Sequence, residues 1–356
     1  MSDDPSPQGR EGSVPGRLAG ALHAWWPRIR VLVSVGLLTI VISGVDRERA
    51  LGVLTSARLE LIFLTWVTYL LGRFFAAARW FLLVRAIDPA VRYADLVRLS
   101  FIGMFLQFFP AGAIALEVGR VYGLSRTTDD LAGSFASVLA ERVFGLLALT
   151  ILALVGLAFA PPGVPPVLAE LAWIGFMVVA VGCMGLTSET VRRTIGSLLA
   201  KLGLGGVGDR LRKLYDRLDL MRGSPRLMVL SMVAALLNTA FRIVPAWLVA
   251  LALGIAVSPL QLFIIVPIIV FATQIPISAG GLGVREVGWV ALLGIIGVPA
   301  ADAIVMSLLL VAIIFVAALP GAWYYARHGL AAPDEAARAE EARGAGHPGG
   351  RHPGGP

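Results

Sequence analysis

Charge is what this sequence has least of. Only 15% of its 356 residues are Asp, Glu, Lys or Arg, against roughly 25% in soluble domains. Hydrophobic residues make up 57%, and the mean hydropathy is +0.81. A soluble chain of this composition would have no polar surface to show water. Several apolar runs reach the ~20 residues that span a bilayer. Only helices and closed barrels satisfy their backbone in lipid, and runs this long exclude the ~10-residue alternating strands of a barrel.

Other absences narrow the chemistry. A single cysteine, Cys183, excludes an intrachain disulfide and reads as a small buried hydrophobe. The four histidines, His23, His328, His347 and His352, all lie towards the two chain ends. A His-ligated metal or His-based triad in the membrane core is thereby excluded. There is no Walker loop and no DxxD-like acidic cluster, so an ATP-driven pump within this chain alone is not expected. No catalytic motif stands out, and no cofactor or metal is expected. Residues 1–28 are polar with Pro, Gly and Arg, unlike a cleavable signal, and read as a cytoplasmic segment before an uncleaved first anchor.

What is present is a succession of apolar runs. Six predict full spans, at about 29–45, 59–86, 130–160, 167–187, 227–254 and 301–326. Two more, about 96–116 and 260–298, are interrupted by Pro and Gly near a charged pair, as re-entrant hairpins or pairs of short helices. The predicted fold is therefore an all-α polytopic membrane protein over 29–327, followed by a disordered tail at 328–356.

Loop charge sets the expected orientation. Residues 188–226 carry nine basic side chains, whereas 161–166 and 255–260 carry none. The positive-inside rule places 188–226 and both termini in the cytoplasm. Arg47, Arg49 and Arg58 dissent, with Asp46 and Glu48 as neighbours for pairing. Within the basic loop, Leu211, Leu214, Leu218 and Met221 recur at helical spacing, as do Val191, Ile195, Leu198 and Leu202. Such helices lie on anionic headgroups or pack on the bundle with a solvated basic face; both readings stand. The net charge of +7 and pI near 10.1 are explained by these arginines, and no aromatic-basic pattern points to nucleic acid.

The candidate site rests on the two interruptions, FFPAGAIALEVGR (108–120) and QIPISAGGLGVRE (274–286). Setting Pro110 against Pro276 aligns Ala113 with Ala279, Leu116 with Leu282 and Val118 with Val284. On the predicted topology the two breaks enter from opposite faces, the pattern of an inverted-repeat transporter site. Amides freed at Gly280, Gly281 and Gly283, beside Arg285, suit an anionic group such as phosphate. The alternative is a Gly-rich structural turn with Arg285–Glu286 at the interface. Arg73, Arg79, Glu141, Arg142, Arg242 and Asp302 also sit in or at the ends of apolar runs. Each such charge costs at least ~2.5–3.5 kcal/mol near the bilayer centre, so it faces the bundle interior and pairs. Candidate ligand contacts are Glu117, Arg120, Glu141, Arg142, Arg79, Arg242, Ser278, Gly280, Gly281, Gly283, Arg285 and Glu286. For Glu141–Arg142 and Arg242 a structural ion pair is the competing reading. Ser278 and Asn238 alternatively bond a neighbouring helix.

The stretch RWFLLVRAIDPAVRYADLVRLSFIGMFLQFFPAGAIALEVGR, then SVLAERVFGLLAL, then PISAGGLGVREVGWVALLGIIGVPAADA, resembles the flippase-like membrane domain of lysylphosphatidylglycerol synthetases. The resemblance covers roughly 30–327, and PISAGGLGVRE is its most specific piece. Where relatives carry GGD-x-x-R, this chain reads A-L-E-V-G-R; Glu117 keeps the acidic charge and its spacing to Arg120. The resemblance implies a free-standing member, without the soluble synthetase domain, in a bacterial-type inner membrane. It implies movement of a phosphate-bearing lipid between leaflets, either aminoacylated phosphatidylglycerol or a polyprenyl-phosphate-linked molecule. The expected partners are membrane lipids with an anionic or phosphate-bearing headgroup, and a lipid-synthesis enzyme or a second copy as a protein partner. The competing function classes are a membrane transferase using Glu117, Glu286 or Asp302, and a non-catalytic partner binding through 188–226.

Overall fold

In the computed structural model the described residues are 32–37, 39, 43, 46–109, 112–159, 165–201, 205–274, 278 and 281–329. Among them there is no strand. The expected first span, 29–45, lies mostly outside them. Five helices are long and apolar enough to cross a bilayer, corresponding to the remaining five expected spans.

The helices are α1 (Arg47–Thr55), α2 (Leu59–Arg85), α3 (Tyr93–Leu106), α4 (Gly112–Thr128), α5 (Leu131–Ala158), α6 (Pro166–Thr187), α7 (Glu189–Lys201), α8 (Gly205–Arg222), α9 (Pro225–Ala252), α10 (Pro259–Gln274), α11 (Val284–Ile295) and α12 (Ala300–His328). Local chemistry sets several starts. The Asp46 carboxylate accepts the Glu48 and Arg49 N–H groups to cap α1, and Asp130 accepts the Gly133 N–H to cap α5. Proline opens α6 and α9, where its missing N–H costs nothing. Each Pro/Gly-interrupted region is a pair of short helices, α3–α4 and α10–α11.

The chain thus reads long–short–short–long twice, α2–α5 and α9–α12, and the packing repeats too. Helices α2 and α9 form the most extensive pair and run antiparallel. The Arg58 N–H donates to the Ala252 carbonyl at 3.0 Å at one end; Leu83 packs with Met228 and Met232 towards the other. Helix α3 lies against α12, and α10 lies against α5. In both cases a glycine in the long helix admits the short one: a Cβ on Gly321 would lie 2.0 Å from the Phe101 carbonyl oxygen, and one on Gly156 would lie 2.8 Å from Phe263 Cβ. Gly72 does the same for α2 against Phe241. Such small-residue contacts drive helix association where lipid supplies no hydrophobic force.

The two ends of the bundle differ. Asp130, at the start of α5, pairs with Arg217 of α8 at 2.9 Å, and Leu214, Leu218 and Met221 of α8 pack on Leu83, Ala136 and Ala140. One apolar stripe of the basic loop is therefore covered by the bundle. On α7, by contrast, Val191 and Leu198 are exposed. At the opposite end, Arg49 of α1 makes a two-pronged contact with Asp302 at the start of α12, 2.8 and 3.0 Å. Arg49 thus pairs across the chain instead of with Asp46 or Glu48, and Asp46 spends its carboxylate on the cap. The pair α3–α4 begins and ends at the α8 end, and α10–α11 begins and ends at the other. Both tips converge in the middle.

Candidate functional site

The tips of the short pairs and the middles of α2, α5 and α9 enclose a cavity of about 300 Å³, at the lower end of ligand-site volumes. Its charged lining is Arg73, Arg79, Glu117, Arg120, Glu141, Arg142, Arg242 and Arg285. Apart from Asp302, the separate charges that the sequence places in apolar runs are thus gathered into one place.

Helix α5 supplies Glu141, which is buried and accepts hydrogen bonds from Arg79 of α2 and Arg120 of α4. The Arg120 guanidinium lies 4.0 Å from the Trp80 ring centroid, and the Trp80 indole N–H donates to Ser137 Oγ at 3.1 Å. A cation over an indole face is favourable, and the Ser137 bond holds that face in place. Gly145, one turn along from Glu141, makes room for Arg79: a Cβ there would sit 3.2 Å from Arg79 Nη1. Glu117 of α4 accepts from Arg142, whose other nitrogen donates to Gln274 Oε1 at 2.7 Å. Arg120 lies 3.8 Å from the second Glu117 oxygen. Three arginines are therefore shared between two carboxylates, and Gln274 ties this network to the second half.

Arg73 and Arg242 are different. They sit near the midpoints of α2 and α9, half-buried against the cavity. Among the described residues neither has an acidic partner or a hydrogen bond. The charged groups facing Arg242 are Arg73, Arg79 and Arg142. Arg73 stands out in the sequence only as one charge in an apolar run; its lack of a partner is a tertiary fact. Other polar atoms are likewise unsatisfied: Arg79 Nε and Nη1, Glu117 Oε2 and the hydroxyl of Ser278, which is 4% exposed. Buried groups of this kind are expensive without a partner.

The second break departs from the expected free-amide cradle. Glu286 is fully buried, and its carboxylate accepts the Gly283 N–H at 2.6 Å, the Ser307 hydroxyl at 3.2 Å and Arg285 Nε at 3.3 Å. Glu286 and Gly283 thus form the N-terminal cap of α11, behind the cavity wall rather than in it. The cap consumes the Gly283 amide. Gly283 has φ +85°, and a Cβ there would lie 2.7 Å from Leu37 Cβ, so only glycine fits. Ser278, Gly281 and Arg285 do line the cavity; Gly280 lies outside the described residues. Asp302, taken by Arg49, and Glu286, taken by the cap, are both engaged away from the cavity, which leaves the transferase reading only Glu117.

This mid-bundle charge cluster lies between two broken helix pairs. Residues 28–321 match the family model described as lysylphosphatidylglycerol synthase TM region. The chain belongs to that family. No curated protein and no solved structure gives a match. Membership in the lysylphosphatidylglycerol synthase TM family makes this a multi-pass membrane protein with a lipid-related role.

Proposed function

We propose that this protein moves a phosphate-bearing lipid between leaflets, with the headgroup passing through the central cavity while the acyl chains stay in lipid. The observation that carries this reading is the Arg73–Arg242 pair: two guanidinium groups near the midpoints of their helices with no anion among the described residues to neutralise them. Each such charge within a membrane span is costly alone, and an anionic ligand is the natural counter-ion. In this reading α3–α4 and α10–α11 are re-entrant hairpins, the α7–α8 end faces the cytoplasm of a bacterial-type inner membrane with both termini, and the two halves rock about the α2–α9 contact to open each side in turn. Movement runs downhill or is coupled to an ion gradient. The protein acts as a transporter and not an enzyme.

The test is lipid movement in reconstituted vesicles, followed with headgroup-intact fluorescent analogues of phosphatidate, phosphatidylglycerol and phosphatidylcholine. Wild-type protein accelerates at least one of the two anionic lipids over phosphatidylcholine. Arg73→Gln or Arg242→Gln reduces that rate about tenfold or more, the value of one charge-assisted hydrogen bond. Undiminished movement in both variants would sink this assignment of the site.

A further inference from the structure

Charge balance in the cavity separates classes of phosphate. Six arginines line it against two glutamates, and arginine does not deprotonate in proteins. Glu286, behind Arg285, offsets one more. The cavity therefore carries a formal excess of three positive charges. One belongs to the network in which Arg79, Arg120 and Arg142 share Glu141 and Glu117. The other two are Arg73 and Arg242, one from each half and each without an anion among the described residues.

A phosphodiester headgroup brings one negative charge and two terminal oxygens. It can satisfy one guanidinium fork and would leave the second arginine uncompensated against walls that include Leu149, Val266 and Ile269. A phosphomonoester brings three terminal oxygens and, above its second pKa near ~6, almost two charges. Its third oxygen also has a donor to meet, because the buried Ser278 hydroxyl and Arg79 Nη1 both lack partners. Resting on the reading of this cavity as a headgroup site, we infer that it is built for a lipid phosphomonoester or diphosphate, a headgroup with at least two negative charges, in preference to a phosphodiester.

The experiment uses the full chain in nanodiscs of phosphatidylcholine doped equally with phosphatidate, a monoester, and phosphatidylglycerol, a diester. Lipids retained after release from the disc are counted by native mass spectrometry. Thermal unfolding with added inorganic phosphate, in detergent, is the soluble arm. Phosphatidate is retained about tenfold over phosphatidylglycerol at pH 7.5, as expected for one extra charge-assisted contact. Arg73→Gln and Arg242→Gln each bring the ratio close to one; they report from different halves, and the wild-type ratio needs neither variant. Equal retention of the two lipids overturns the monoester assignment and leaves the headgroup reading intact. Retention of neither above phosphatidylcholine overturns both. If neither lipid is retained but inorganic phosphate stabilises the protein, the headgroup reading fails and the site belongs to a soluble phosphate.

Discussion

The two halves of the bundle share a plan and differ in chemistry. In both, a long helix is followed by two short ones and a second long helix, and a glycine in that last helix lets the other half's short helix approach. The first half uses its acidic groups inside the cavity, as Glu117 and Glu141 bridging arginines. The second half presents neutral Gln274 and Ser278 there and spends its buried carboxylate, Glu286, on capping α11. Two halves can thus share a helix plan while their polar interiors differ, because backbone packing asks only for small residues at a few crossings. The lining is under no such packing constraint.

The sharpest way to break the comparison is to remove a cavity carboxylate, which only the first half supplies. Glu141→Gln leaves Arg79 and Arg120 buried without their anion and is expected to cost about 3–5 kcal/mol, the range for breaking a buried ion pair. Gln274→Ala, in the second half, should cost less than ~1 kcal/mol. Denaturant unfolding in micelles measures both, and equal losses would mean the halves carry similar electrostatic weight.

A packing test asks whether the shared plan is real. Gly321→Val and Gly156→Val both force a side chain into a helix crossing and should each cost ~1–3 kcal/mol or more, the overpacking range. The Gly321 change should be the worse, since its Cβ would meet backbone at 2.0 Å and the Gly156 Cβ would meet a side-chain carbon at 2.8 Å. If only one of them lowers the melting temperature, the pseudo-symmetric crossings are not equivalent.

Arg73→Gln and Arg242→Gln invert the usual sign. Removing one of two facing, unpartnered charges should leave stability unchanged or raise it by up to ~1 kcal/mol, while lipid movement falls; residues kept for function often cost stability. A melting temperature that drops in both variants would point to a structural role instead.

The smallest effect is expected in the basic loop, outside the repeat. Arg192 of α7 bonds Asp219 of α8 at 2.8 Å and lies 4.5 Å from the Tyr215 ring. The Arg192 hydrogen bond holds the Asp219 carboxyl below its ordinary value. The contribution is therefore present at neutral pH and is lost as pH falls through that lowered pKa, below the usual carboxylate range. Because the pair is largely exposed, screening limits it to roughly 0.5 kcal/mol. Arg192→Ala should modestly speed proteolysis within 188–226 at pH 7, and the wild-type loop should approach that rate only in strong acid.

Composition and local pattern by themselves determined that the chain is helical and membrane-embedded, where the five described long helices run, and that two Pro/Gly breaks interrupt it. Those properties depend on transfer free energy and on backbone freedom, which are written residue by residue. The same local signal located most of the cavity's charges, since an arginine in an apolar run is conspicuous wherever it sits. Which charges meet was decided only by tertiary structure. Arg79 and Glu141 are far apart in sequence, as are Arg142 and Gln274 and Arg49 and Asp302, and no periodicity encodes those distances. Glu286 reads as a headgroup contact in the sequence and is a cap in three dimensions, because the Gly283 amide lies closer to it than the cavity does. Arg73 and Arg242 read like every other arginine in an apolar run; only the packing of α2 on α9 brings those two together with no anion beside them among the described residues.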